Sequence, residues 1–245
     1  MTNLDLIILV VLFFLTSIVG VVTGSNSLIT VPVMFQFGVD EKMAIATNMF
    51  GLTFMAIGGT IPFIRQGKIE PRKLTPLIVL TVIGSALGAL LVGYLTNQSI
   101  RVIVSIAMIA VVIFTLVRSG PEKRASLPVI GYVAAFLLAI YGGLYSGGYV
   151  TILTAAFVAF MGMDYTESVG STKLVNVFSS GVATVVFMWQ GLVDYRLGAI
   201  LAVTMFAGAY VGAHYASKMN EVWLTRIFLA TVVLLAIQTL YDLAV

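Results

Sequence analysis

Residues 20–27 read GVVTGSNS, and residues 142–149 read GGLYSGGY. Each glycine-rich stretch lies between two apolar runs. The runs that follow, 27–37 and 150–160, are too short to cross a hydrocarbon core of about 30 Å as helices. Unpaired backbone at a break within a bilayer is tolerated only inside protein or beside water. Both breaks are therefore expected to be buried functional elements, not surface turns.

The breaks occupy equivalent places in a duplicated chain. Residues 38–118 overlay residues 162–242 at a shift of 124, which pairs Gly38 with Gly162, Asp40 with Asp164, Gly67 with Gly191 and Arg72 with Arg196. The same shift pairs Gly84 with Gly208 and Gly88 with Gly212. Upstream the shift reads as 123, pairing Gly20 with Gly143 and Gly24 with Gly147. Each copy holds five apolar segments. They run about 4–22, 27–37, 41–64, 74–95 and 100–117, then 128–145, 150–160, 165–188, 196–217 and 221–242. Segments three to five of each copy are long enough to span. A membrane chain made of two copies is the usual architecture of a secondary transporter, with its site where the copies meet.

Composition demands the bilayer. Hydrophobic residues make up 60% of the chain and charged residues 9%, with a mean hydropathy of +1.09. A soluble domain carries roughly 25% charged residues, so this chain cannot cover a water-facing surface. The net charge of +3 is spread over loops, which is a positive-inside pattern and not a nucleic-acid patch. Cysteine is absent, which removes disulfides and thiolate metal sites. The start, MTNLDLIILVVLFFL, lacks a basic region and a cleavage site and reads as a retained first helix.

The loops RQGKIEPRK at 65–73 and RSGPEKR at 118–124 are separated by two helices and are both expected on the cytoplasmic side. The expected organisation is a first repeat over 1–118, a cytoplasmic linker over 119–127 and a second repeat over 128–245. If segments one and two of a copy enter and leave on one face, the copies are inverted. If they make one broken crossing, the copies are parallel. Inversion is favoured, because inverted repeats with broken helices recur in transporters.

Candidate site residues cluster at the breaks and at the starts of the third segments. Gly24, Ser25, Asn26 and Ser27 precede one short helix, where Ser and Asn are favoured N-caps. Gly147, Gly148 and Tyr149 precede the other. A helix N-terminus presents free N–H groups and attracts anions; the plainer reading is that these glycines only let helices pack closely. The third segments contain Thr47 and Asn48 in one copy, and Ser171, Thr172, Lys173 and Asn176 in the other. Lys173 is expected about 12 Å into its helix at 1.5 Å per residue. An intramembrane lysine is costly and usually faces a cavity or a partner, although it can also snorkel to the interface or pair with Asp164 or Glu167. Its counterpart by the shift is Met49, so the site is expected to be asymmetric. Asp40 and Asp164 are explained as acidic N-caps. His214, the only histidine, is read as interfacial or packed. Arg72 and Arg196 are read as interface anchors, and Tyr141, Tyr145 and Tyr149 as a packing stripe or a pathway lining.

In the order and spacing of these motifs the chain resembles the sulfite exporter TauE/SafE family, also called the toluene sulfonate uptake permease family. The matching stretches are Gly20 to Thr30 with Pro32, AIATNMFG at 44–51, QGKI at 66–69, SVGSTKLVN at 168–176 and QGLVD at 190–194. The resemblance implies prokaryotic inner-membrane export of a small sulfur-containing anion, such as sulfite, sulfoacetate or another organosulfonate, driven by the proton gradient.

These readings combine into an all-α polytopic membrane protein of two pseudo-symmetric repeats, each with a broken helical hairpin and three long transmembrane helices. The expected function is alternating-access transport of a small oxyanion. A passive anion channel on the same scaffold is the alternative. No cofactor, metal, enzymatic activity or nucleic-acid partner is expected. The partners are the substrate and the lipid bilayer, and oligomeric state stays open, a homodimer included.

Overall fold

The computed structural model describes residues 3–24, 26–67, 69–117 and 127–215, together with Val233 and Tyr241. Ser25, Lys68, the 119–126 part of the expected linker and nearly all of the segment at 221–242 lie outside the described residues. The described residues form helices and turns with no strand. In chain order they are α1 (Asn3–Thr23), α2 (Ser27–Gln36), α3 (Glu41–Arg65), α4 (Thr75–Val92), α5 (Asn97–Val117), α6 (Pro128–Leu144), α7 (Tyr149–Phe160), α8 (Tyr165–Trp189) and α9 (Tyr195–Tyr215). A single 3-10 turn, Pro71–Leu74, leads into α4.

Five of these helices are long and apolar enough to cross a membrane: α1, α3, α4 with its 3-10 turn, α8 and α9. The protein is a multi-pass membrane protein. On α4, Val79, Ile83, Leu87 and Leu91 form an exposed stripe, whereas Thr81, Gly84, Ser85, Gly88 and Ala89 are buried. Lipid solvates the first face; the second lets backbones approach closely. The α1 helix is itself long enough to span, so α2 and α7 are the short members of their pairs.

The duplication is visible in conformation. The helices α3 and α8 have the same length, 25 residues, and start 124 positions apart. Each opens on an aspartate cap: Asp40 Oδ1 accepts from the Lys42 and Met43 amides, and Asp164 Oδ1 from that of Glu167. Three pairs of left-handed glycines keep the same offset: Gly24 with Gly148, Gly38 with Gly162, and Gly67 with Gly191. The expected pairing of Gly24 with Gly147 is therefore corrected by one residue.

Close glycine contacts fix the register of the first helices. A Cβ on Gly208 would lie 2.6 Å from the Phe14 carbonyl oxygen, and one on Gly212 would lie 2.5 Å from that of Ile18. On α4, Gly84 meets the Phe136 carbonyl and Gly88 that of Ile140 in the same way. This relates α1 to α6 by 122, while everything after the break is related by 124. The second break is thus two residues longer than the first. These contacts also show how the copies interlock. The first helix of each copy packs on the fourth of the other, α1 on α9 and α6 on α4, while α3 packs on both α8 and α9.

Candidate functional site

The two breaks meet. Ser27 and Ser146 share a hydrogen bond of 2.6 Å, Tyr145 OH donates to the Ser27 carbonyl at 3.0 Å, and Thr151 Oγ1 donates to the Thr23 carbonyl at 2.7 Å. Of the groups that reach across, Tyr145 and Ser146 belong to the longer second break and Thr151 to α7. A side chain at Gly24 would press on the Thr151 amide at 3.1 Å. Glycine therefore serves here both for its left-handed φ of 80° and for the close approach.

Each break is braced against its third helix by an equivalent bond. Thr30 Oγ1 donates to Asn48 Oδ1 at 2.7 Å, and the hydroxyls of Thr154 and Thr172 share a bond of 3.1 Å. Both pairs are 18 residues apart and related by 124. Asn48 also donates from Nδ2 to Ser27 Oγ at 2.9 Å, which links the brace to the cross-break contact.

Beside the breaks lies a cavity of about 20 Å³, room for a water or so and too small for a sulfur oxyanion. Its walls are Gly20 and Val21 of α1, Gly24 and Asn26 of the break, Leu52, Met55 and Ala56 of α3, Val150 of α7, and Lys173 and Asn176 of α8. Asn26 and Val150 are related by the offset of 124, and so are Leu52 and Asn176. The cavity thus draws its walls from both copies. At each related pair one member is polar and the other apolar, including Lys173 against Met49.

Lys173 is 5% exposed. Its ammonium donates to the Gly20 carbonyl at 3.3 Å, an oxygen that already accepts the Gly24 amide at 2.8 Å. No carboxylate among the described residues pairs with it; Asp164 is occupied as a helix cap. Lys173 therefore neither snorkels nor pairs with its acidic neighbours. Asn26 occupies the N-cap position of α2 but has helical backbone angles, and its side chain makes no cap bond. The expectation of a capping side chain at Asn26 is corrected, with a consequence for the cavity. Both side-chain polar atoms of Asn26 are buried without a partner, as is Oδ1 of Asn176. A buried lysine, an uncommitted amide and a second asparagine thus line one small cavity, and Lys and amide N–H groups are donors to oxygen.

The sequence candidates divide by what they touch. Gly24, Asn26, Lys173 and Asn176 line the cavity. Asn48 and Thr172 brace the breaks. Thr47 Oγ1 accepts the Asp194 amide at 3.0 Å at the start of α9, and Ser171 is buried elsewhere on α8. The Gly147 carbonyl accepts from Tyr141 OH, Gly148 starts α7 in a left-handed conformation, and Tyr149 is buried away from the cavity walls. The Gly24 amide is bonded to the Gly20 carbonyl and the Tyr149 amide to that of Ser146, so neither is free to cradle an oxyanion in this conformation. Ser25 lies outside the described residues. His214 is exposed, with its ring edge-on to Tyr215, and Arg72 and Arg196 are exposed at helix starts. Sequence reasoning missed Ser146, Thr30 and Thr154; applying the shift of 124 to Thr30 and Asn48 together marks Thr154 and Thr172 as a second such pair.

Comparison with known proteins agrees with this architecture. The chain is 24% identical over 234 residues to a probable membrane transporter protein, ORF9, of Sinorhizobium sp, covering 94% of this chain and 90% of the relative. It is 26% identical over 245 residues to the probable membrane transporter protein YfcA of Escherichia coli K12, covering 96% and 91%. It is also 26% identical over 238 residues to the probable membrane transporter protein YdhB of Bacillus subtilis 168, covering 91% and 96%. No solved structure matches. The family described as sulfite exporter TauE/SafE matches residues 9–239, and with that match spanning both breaks and both third helices, the chain belongs to this family of membrane transporters.

Proposed function

We propose that this transporter exports a small sulfur-containing oxyanion, sulfite or an organosulfonate such as sulfoacetate, by alternating access linked to the proton-motive force. The observation that carries the reading is Lys173: a buried ammonium with no carboxylate partner, facing the unpaired amide of Asn26 across a cavity between the copies. In the bound state the ammonium turns from the Gly20 carbonyl to the anion, Asn26 Nδ2 donates a second bond, and Asn176 donates a third once its amide rotates. The cavity as it stands is water-sized, so it must widen to admit the anion. With the copies inverted, the axis that relates the breaks would also exchange inward-open and outward-open states.

The test is accumulation. The purified chain in liposomes under an imposed pH gradient should drive radiolabelled sulfite or sulfoacetate against its concentration gradient, and a protonophore should abolish this. Flux that only equilibrates would assign a channel, and transport of neither anion would refute the substrate class.

A further inference from the structure

Burial with incomplete hydrogen bonding marks a second group of side chains. Thr81 and Ser85 on α4, Tyr149 on α7 and Ser179 on α8 are each at most 1% exposed. Ser85 and Ser179 share a hydrogen bond of 2.7 Å, and Ser85 Oγ also reaches the Ala139 carbonyl at 3.2 Å. The Tyr149 hydroxyl lies within reach of those of Ser179 and Thr81, yet among the described residues neither it nor Thr81 Oγ1 makes a hydrogen bond of full geometry. A buried hydroxyl left unbonded is a net cost to folding. Two in one cluster point to a ligand that bonds there at another stage of the cycle.

The cluster adjoins the cavity. Ser179 stands three residues, about one helical turn, after Asn176 on α8, and Tyr149 immediately precedes Val150; Asn176 and Val150 both line the cavity. Fold construction does not require the hydroxyls. The offset of 124 turns Thr81, Ser85 and Ser179 into Met205, Ala209 and Met55, all buried and apolar. The equivalent α3–α9 contact is therefore built without them, with the Met205 sulfur 2.6 Å from where a Gly51 Cβ would lie, while Met55 turns to α1, its methyl 3.0 Å from where a Gly20 Cβ would lie. The hydroxyl-bearing positions of α4 and α8 thus have apolar counterparts on α9 and α3.

We propose that the hydroxyls of Thr81, Tyr149, Ser179 and Ser85 form a second oxyanion station, through which the anion passes between the Lys173 cavity and one face of the membrane. The inference rests on the anion reading of that cavity. Free O–H groups donate to oxyanion oxygens, and without a cation the station holds the anion weakly enough to release it, as conduction along successive sites requires.

The experiment replaces each orphan hydroxyl by an isostere, Thr81→Val and Tyr149→Phe, and measures radiolabelled sulfite flux in proteoliposomes alongside thermal unfolding. Expected is a flux lower by on the order of ten-fold per variant, the loss of one hydrogen bond to an anion, with an unchanged or higher unfolding temperature. Sulfite binding to the purified protein, which reports the Lys173 cavity, should stay at the parent level. Thr81→Ser should recover most of the flux that Thr81→Val loses. A lower unfolding temperature with flux retained would make the hydroxyls structural and overturn the station. A flux loss seen in sodium but absent in choline would assign the cluster to a cation and overturn it too. Lys173→Met separates the two readings: if it keeps binding and flux, the central anion site fails, whereas if it loses both while the hydroxyl variants transport normally, only the station fails.

Discussion

Replacing Lys173 by Met should make the protein more stable and less able to bind its anion. The lysine sits 5% exposed with one long bond, 3.3 Å, to the Gly20 carbonyl. Removing that bond costs about 1 kcal/mol. Removing a desolvated charge that no carboxylate compensates returns several kcal/mol. Met is unbranched and of similar length, and Met49 at the related position is 1% exposed, so a thioether can pack at such a site. The net expectation is a gain of roughly 1–2 kcal/mol in stability. The binding side runs the other way. A hydrogen bond from an ammonium to an oxyanion contributes about 1.5–3 kcal/mol, which corresponds to a loss of affinity of roughly 10- to 150-fold. Thermal unfolding followed by tryptophan fluorescence in detergent gives the first quantity, and titration calorimetry with sulfite gives the second. An unfolding temperature several degrees lower with unchanged sulfite affinity would refute the reasoning, because the lysine would then be a packing residue whose charge is already satisfied.

Three further outcomes follow from the geometry. Asn26→Leu removes two buried unpartnered polar atoms, so unfolding should be unaffected or slightly delayed while sulfite affinity falls by on the order of ten-fold, the value of one amide-to-anion bond. Gly148→Ala forces a left-handed residue and drives a Cβ into Val111, whereas Gly38→Ala has the same backbone demand with nothing within 4 Å; Gly38→Ala should cost about 1–2 kcal/mol and Gly148→Ala clearly more, as read by parallel denaturation curves. Thr30→Val leaves the buried Asn48 Oδ1 without its 2.7 Å donor and should cost about 1–3 kcal/mol. Thr154→Val should cost less, because Thr172 keeps its 3.0 Å bond to the Val169 carbonyl, and equal effects from the two would argue against Asn48 as the brace.

Part of the cavity lining is legible in the sequence, and helical geometry explains the rest. Lys173 and Asn176 are three residues apart and share a helix face, and both reach the cavity. Ser171 and Thr172 precede Lys173 by two and one residues and do not line it. The shift of 124 carries this division to the first copy: Met49 and Leu52 match the cavity positions, whereas Thr47 and Asn48 match Ser171 and Thr172. Polarity drew attention to Thr47 and Asn48, but angular position decides contact. The second break resisted alignment for a related reason. Its two extra residues are invisible to glycine matching, since four glycines stand near enough to align in several ways, and only the left-handed φ of Gly148 distinguishes it from Gly147.

By itself the sequence determined a helical membrane chain, its duplication, the two breaks and the asymmetric lysine, because run length, glycine placement and charge in apolar context are local properties. Tertiary structure decided which distant groups meet: Lys173 with the Gly20 carbonyl across 153 residues, Ser27 with Ser146 across 119, and Asn26 left unbonded at the cavity wall. Those pairings depend on how α1 and α6 cross the helices of the opposite copy. That crossing is set by the close backbone contacts at Gly84, Gly88, Gly208 and Gly212, where a difference of one methyl group decides whether two helices can touch.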